Sequence, residues 1–200
     1  MKIIVVGASG TIGTAVVAAL AANHEVVRAG RRGPVRVDMA DAASLDALFA
    51  SVSDVDAVIC CAGSGRLAPL TTDSDEDYTH GLHSKLLGQV HLVRRAVRHL
   101  RDGGSVTLTS GTFTRPTPGS AFGALVNTGL EAFVRAAATE LPRGLRVNAV
   151  SPGWVRETLE GMGLDGADGT PAAEVARAFV HAVESPAVRG QVLRPGSASR

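Results

Sequence analysis

The chain has 200 residues, 45% of them apolar, with 20 Lys and Arg against 19 Asp and Glu. That length suits a single domain over residues 1–200, and a net charge of +1 excludes a protein built to clamp nucleic-acid phosphates or to lie on an anionic membrane. Apolar runs are too short for a membrane span or a signal-peptide core, and two adjacent cysteines, Cys60 and Cys61, form no disulfide framework, so a cytoplasmic protein is expected.

Ile3–Val6 is a short Val/Ile run of the kind that forms a strand buried on both faces. It leads into Gly7-Ala8-Ser9-Gly10-Thr11-Ile12-Gly13, and a helical stripe follows through Ile12, Val16 and Ala19/Leu20. A dinucleotide pyrophosphate needs a tight turn, an unobstructed backbone and free N–H groups at a helix N-terminus. Glycines at 7, 10 and 13 between a strand and a helix meet those needs, so Gly7, Ser9, Gly10, Thr11, Ile12 and Gly13 are expected to bind a nucleotide cofactor.

The second strand, Glu25–Ala29, ends at Gly30-Arg31-Arg32. An acid at this tip would accept the ribose 2′-hydroxyl of NAD. Arginines instead pair with a 2′-phosphate, at about 1.5–3 kcal/mol per charge-assisted bond, so NADP is expected in preference to NAD. The alternative reading is two exposed turn arginines. Val35–Val37 then leads to Asp38 and Met39, which either hold the adenine or cap the helix that begins near Ala42-Ala43-Ser44.

Ala57–Cys61 reads as the fourth strand. His80 and His83 share a helical spacing without a third ligand, so no metal is expected. Leu86, Val90, Val93, Val97 and Leu100 outline a second helix, whose late cations Arg94, Arg95, Arg98 and Arg101 suit a solvated face that offsets the helix dipole. Val106–Thr109 is a strand, and Val126, Leu130, Phe133, Ala137 and Leu141 mark a third helix. Val147–Val150 and Gln191–Leu193 complete the strands, while glycine-rich, acidic 157–170 reads as a loop before the last helix. Strands alternating with helices define an α/β fold, a Rossmann-type doubly wound parallel sheet of about seven strands with helices on both faces.

Four segments together carry a resemblance to the short-chain dehydrogenase/reductase family over nearly the whole chain. They are Gly7–Gly13, Cys60-Cys61-Ala62-Gly63 (similar to the family's Asn-Asn-Ala-Gly), Val106–Ser110, and Arg146 to Val155 with its Asn148 and Ser151-Pro152-Gly153-Trp154-Val155. The resemblance implies strand order 3-2-1-4-5-6-7. It adds Cys61, Ala62 and Gly63 to the cofactor site, and places Pro152, Gly153, Trp154 and Val155 at the nicotinamide. It implies a substrate pocket of Phe113, Thr114, Trp154 and the 157–170 loop, and a homodimer or homotetramer pairing through the helices around 86–100 and 126–141.

The family's chemistry rests on a Ser that orients the carbonyl, a Tyr acid, a Lys four residues on, and an Asn in the preceding helix. Counting forward from Ser110 and backward from Glu140-Leu141-Pro142-Arg143-Gly144 puts the Tyr position at Gly123, the Lys position at Asn127 and the Asn position at Lys85. Ser110 is kept and the other three are replaced. The only tyrosine, Tyr78, lies far away in sequence. A positioned acid contributes about 10²–10⁴-fold, so its loss matters. The expected activity is NADP-dependent reduction of a small or activated carbonyl or imine-like substrate. Lys85 would deliver the proton, with Ser110, Thr112 and Asn127 hydrogen-bonding the developing oxyanion. Each of these has a structural alternative: Lys85 as a surface lysine covering apolar area, Ser110 as a strand-end cap, Asn127 as a partner of helix backbone. A non-catalytic NADP-binding sensor and a cofactor-independent scaffold are the competing functions.

Overall fold

The computed structural model describes residues 1–63, 65–115 and 117–196. The strands are β1 (Lys2–Val6), β2 (Glu25–Gly30), β3 (Val35–Arg36), β4 (Val55–Cys60), β5 (Leu100–Thr109), β6 (Arg146–Val150) and β7 (Val192–Leu193). The helices are α1 (Thr11–Leu20), α2 (Ala42–Ser51), α3 (Asp75–Tyr78), α4 (Gly88–His99), α5 (Ala121–Glu140), α6 (Arg156–Gly161) and α7 (Ala172–Glu184), with a π-helical turn, Leu82–Leu87, running into α4. All strands are parallel, in the order β3-β2-β1-β4-β5-β6-β7. This is the doubly wound fold expected from the sequence.

The two-residue period of β1 shows how both sheet faces are filled. Ile4 and Val6 join a core with Leu45 and Leu48 of α2, Leu92 of α4 and Leu130 and Val134 of α5. Ile3 and Val5 face the other way, toward Val16 and Leu20 of α1 and Val175, Phe179 and Val183 of α7. Full burial of a side chain such as Phe179 stabilises the fold by roughly 1.5–3 kcal/mol.

Four local features depart from the sequence reading. The 157–170 stretch is not all loop, because α6 occupies its first third. The Glu157 carboxylate accepts the Ala172 N–H at 2.9 Å, which ties this short helix to the start of α7. Strand β5 begins at Leu100, earlier than Val106, so Arg101 lies on the strand and not on the helix. There it pairs with Asp54 at 3.2 Å and Asp56 at 3.4 Å, while Arg95 on α4 pairs with Asp46 at 2.7 Å. The helix expected around 86–100 opens as a π turn and ends at His99. Finally, Asp41 caps α2, accepting from Ala43 N–H at 2.9 Å, whereas Asp38 accepts from Ala40 N–H at 2.9 Å in the preceding turn.

Arg146 anchors the far end of the sheet. Its buried guanidinium donates to the carbonyls of Ala182, Val183, Ser185 and Val188, at 2.8–3.0 Å. The first three are acceptors at the end of α7, so a β6 side chain caps that helix and also holds the Val188 turn beyond it.

Candidate cofactor and substrate site

Strand order reverses direction between β1 and β4, and a crevice opens at the carboxyl ends there, where open α/β sheets place their ligands. It is a cavity of about 320 Å³ that brings together Gly7, Ser9, Gly10, Arg31, Arg32, Asp38, Met39, Cys61, Ala62 and Gly63. Val6, Gly30, Val37 and Ser84 line it too. Gly30 is the tip position where an acid would stand, while Val6, Val37 and Ser84 carry no chemical signal in the sequence and enter only because the strand ends converge.

Gly7 has φ +78°, and a Cβ there would sit 2.7 Å from Ala62 N, so the loops after β1 and β4 touch at this point. A Cβ on Gly13 would lie 2.0 Å from Gly7 O, so α1 packs directly on the loop that feeds it. Gly10 begins α1 without any side-chain cap. The first-turn N–H groups, those of Thr11, Ile12 and Gly13, are thereby left for an anion. Arg31 and Arg32 are exposed at the rim and form no ion pair among the described residues. An uncapped helix start beside two uncommitted guanidiniums fits a phosphorylated dinucleotide.

The cysteines add no nucleophile. Burial pushes the Cys60 thiol up to about 12 and the Cys61 thiol well above its usual range. Among the described residues no three His, Cys, Asp or Glu side chains gather as a metal site.

A second cavity, of about 390 Å³, opens at the ends of β5, β6 and β7. Phe113, Thr114 and Trp154 line it, joined by Gly153 from the segment expected at the nicotinamide, but only Asp168 and Thr170 come from the 157–170 stretch. Thr112, Arg115, Thr117, Ser151, Arg194, Pro195 and Gly196 complete the wall. Pro152 and Val155 are buried beneath it. The Pro152 carbonyl accepts Thr112 N–H at 2.8 Å, and Val155 forms a bridge with Thr170.

The residues placed by the family count now have surroundings. Gly123 lies in the first turn of α5, and a Cβ there would meet the Phe113 ring at 3.3 Å. That ring covers the point from which a tyrosine would project. Tyr78, distant in sequence, has its ring centroid 5.6 Å from that of Phe122. Ser110 is 2% exposed, and its hydroxyl reaches the Asn127 carbonyl at 3.2 Å and Glu131 Oε1 at 3.1 Å. Its single proton therefore points at α5. Asn127 is buried, with Oδ1 unpartnered.

Lys85 lies in the π turn, its stem against Gly63 at the edge of the nucleotide cavity. Burial lowers its ammonium pKa, and it has no ion-pair partner among the described residues. Gln89, fully buried, clamps this turn to the end of β5: its Nε2 donates to Lys85 O at 2.6 Å and Thr109 O at 3.0 Å, and its Oε1 accepts Thr109 N–H at 2.8 Å.

Glu131 was not signalled by motif. Its carboxylate, one turn beyond Asn127, accepts from Ser110, Ser151 and Arg194. The only sequence cue is an acid on the buried side of an apolar helical stripe.

A family model described as Enoyl-(Acyl carrier protein) reductase matches residues 2–192. Among solved structures, the protein lin1944 from Listeria innocua is 38% identical, with TM-score 0.91 and coverage of 97% of this chain and 98% of that one. A small-chain dehydrogenase in complex with NADPH is 26% identical, with TM-score 0.83 over 97% of this chain and 95% of its own. Carbonyl reductase family member 4 of Danio rerio is 32% identical over 148 residues, 68% of this chain. The chain spans 62% of that relative's length. With the seven-stranded fold and the family match over residues 2–192 in agreement, the chain belongs to the short-chain dehydrogenase/reductase superfamily.

Proposed function

We propose that the protein is an NADP-dependent oxidoreductase that reduces a small or activated carbonyl or imine-like substrate. The observation that carries this is the nucleotide cavity, in which an uncapped α1 N-terminus faces the same space as Arg31 and Arg32. The similarity to a small-chain dehydrogenase in complex with NADPH supports the choice of cofactor. The Gly7–Gly13 loop would hold the pyrophosphate, Arg31 and Arg32 the 2′-phosphate, and Asp38 and Met39 the adenine. Cys61, Ala62, Gly63 and Pro152–Val155 would hold the nicotinamide end. When bound, the cofactor supplies a hydride.

The protein's own part is to seat the acceptor and supply a proton. Phe113, Thr114 and Trp154 wall the substrate cavity. Lys85 is the proton donor in this proposal, supported by its half-buried position beside Gly63 and by a pKa that burial moves down. Asn127 and Thr112 are the hydrogen-bonding groups for the developing oxyanion. Ser110, expected in the same set, is left out of it, since its single proton is engaged by α5 and its oxygen can only accept. An electrophilic acceptor needs less proton assistance, which is why the proposal favours activated substrates.

A second reading, an NADP-binding sensor without turnover, draws support from the Phe113 ring lying over Gly123. Titration with NADPH and NADH, following Trp154 fluorescence, tests the shared cofactor step. NADPH binding at least about tenfold tighter than NADH, with the margin lost in an Arg31→Ala/Arg32→Ala variant, is expected. No binding of either nucleotide overturns both readings. Hydride transfer from NADPH to activated acceptors, slowed in Lys85→Met, then separates enzyme from sensor.

Two further parts of the proposal have their own checks. Pairing into a homodimer or homotetramer through α4 and α5, where Leu125 is 63% exposed, is read by light scattering. A cytoplasmic location is compatible with the described helices, none of which is long and apolar enough to cross a membrane.

A further inference from the structure

The backbone ladder joining β5, β6 and β7 runs out at the strand ends, where Ser110 N–H still reaches Val150 O at 2.9 Å and Ser151 N–H reaches Leu193 O at 2.8 Å. Beyond that line the segments after β5 and β6 share one more backbone bond, Thr112 N–H to Pro152 O at 2.8 Å, and all three segments wall the substrate cavity. One side chain continues the tie. Glu131 Oε1 accepts the Ser110 hydroxyl at 3.1 Å and the Ser151 hydroxyl at 2.8 Å. Its Oε2 accepts from Arg194 at 2.6 Å, with Arg135 at 3.6 Å. The residue is 7% exposed, between helix positions filled by Leu130 and Val134.

A carboxylate is a costly choice for such a position, because burying a charge is unfavourable unless several donors compensate it. Here the donors come from the ends of three different strands. An apolar residue would pack on the sheet but leave the three ends without a shared side-chain acceptor. We infer that Glu131 is a positioning residue for the site: it holds Ser151, and with it the Gly153-Trp154 segment, and Arg194, and with it the 194–196 wall, at fixed places relative to α5. Because the carboxylate accepts both hydroxyls, the protons of Ser110 and Ser151 face inward, and neither serine acts as a donor to substrate. The cavity's function rests on the reading proposed above; the tie itself does not.

The test separates the two. Glu131→Gln keeps an oxygen for the serines but turns an amide toward Arg194, so it releases the C-terminal wall specifically. In ligand-free protein below its melting temperature, acrylamide quenching of the single tryptophan, Trp154, is expected to increase relative to wild type. NADPH affinity is expected to fall on the order of three- to tenfold. A second change, Arg194→Gln, restores amide-to-amide pairing, so Glu131→Gln/Arg194→Gln is expected to recover part of both losses. Arg194→Met, at a side chain 42% exposed, tests the wall if Glu131→Gln does not fold, and is expected to raise quenching and lower NADPH affinity in the same sense.

Unchanged quenching in Glu131→Gln, or in Arg194→Met where Glu131→Gln does not fold, overturns the inference. So does a double variant whose losses add. A wild type that binds no NADPH defeats the proposed function, while the quenching comparison still decides the role of Glu131.

Discussion

At the residue scale the proposed proton donor is Lys85, and its pH behaviour has a definite sign. Burial lowers its pKa in the folded protein, so the unfolded chain binds this proton more strongly. The resulting penalty is full below the folded pKa and is relieved as pH rises from there toward the unfolded value. Lys85→Met is therefore expected to stabilise the protein at neutral pH, with the gain shrinking at alkaline pH in paired urea titrations. As a proton donor, Lys85 must be charged, so reduction of an acceptor is expected to fall as pH passes its lowered pKa. In Lys85→Arg that alkaline limb moves up or disappears, as pH–rate profiles would show. Gly13 is the second residue whose chemistry is its size. Gly13→Ala puts a methyl into Gly7 O, and a cost of about 1–3 kcal/mol with loss of NADPH binding is expected from calorimetry and titration.

Elements are where local pattern and tertiary context part company. The glycine loop, the arginine tip and the seven strands were legible because each depends on residues close together in sequence. Helix α6 was not, since six residues in a glycine-rich acidic stretch carry no usable period, and a contact from Glu157 to the start of α7 holds it. The early start of β5 was hidden by Asp102-Gly103-Gly104, poor strand formers that lie in an irregularity between the Leu100–Val55 and Ser105–Ala57 pairs, with Gly103 at φ +76°. The Phe113 cover on Gly123 and the Glu131 tie are contacts between elements, and no single stretch displays them. Arg146 is a further case, a charged residue in an apolar strand whose role becomes visible only with α7 in place. Arg146→Met leaves the carbonyls of Ala182, Val183 and Ser185 without this donor, while Val188 keeps Asn148, and a loss of about 2–4 kcal/mol in denaturant stability is expected.

At the scale of the molecule, the site has two halves with different origins in the chain. The nucleotide cavity draws on residues from Val6 to Ser84, and the substrate cavity on residues from Thr112 to Gly196. They are joined by the sheet, since β1, β4, β5 and β6 lie side by side. The layer behind the phosphate loop, however, is not completed by its own half. Helix α1 is backed by α7 through Val16, Leu20, Val175 and Phe179, and His24 just past α1 meets Glu184 at 2.9 Å. A ligand gripped at the start of α1 thus draws on packing supplied from more than 150 positions later. In thermodynamic terms the two are linked: whatever stabilises the loop raises the free energy of every opening that undocks α7. NADPH at a hundred times its dissociation constant contributes about 2.7 kcal/mol to such openings. Amide protons in α7, a helix that lines neither cavity, should then exchange with solvent up to about a hundredfold more slowly when the nucleotide is bound.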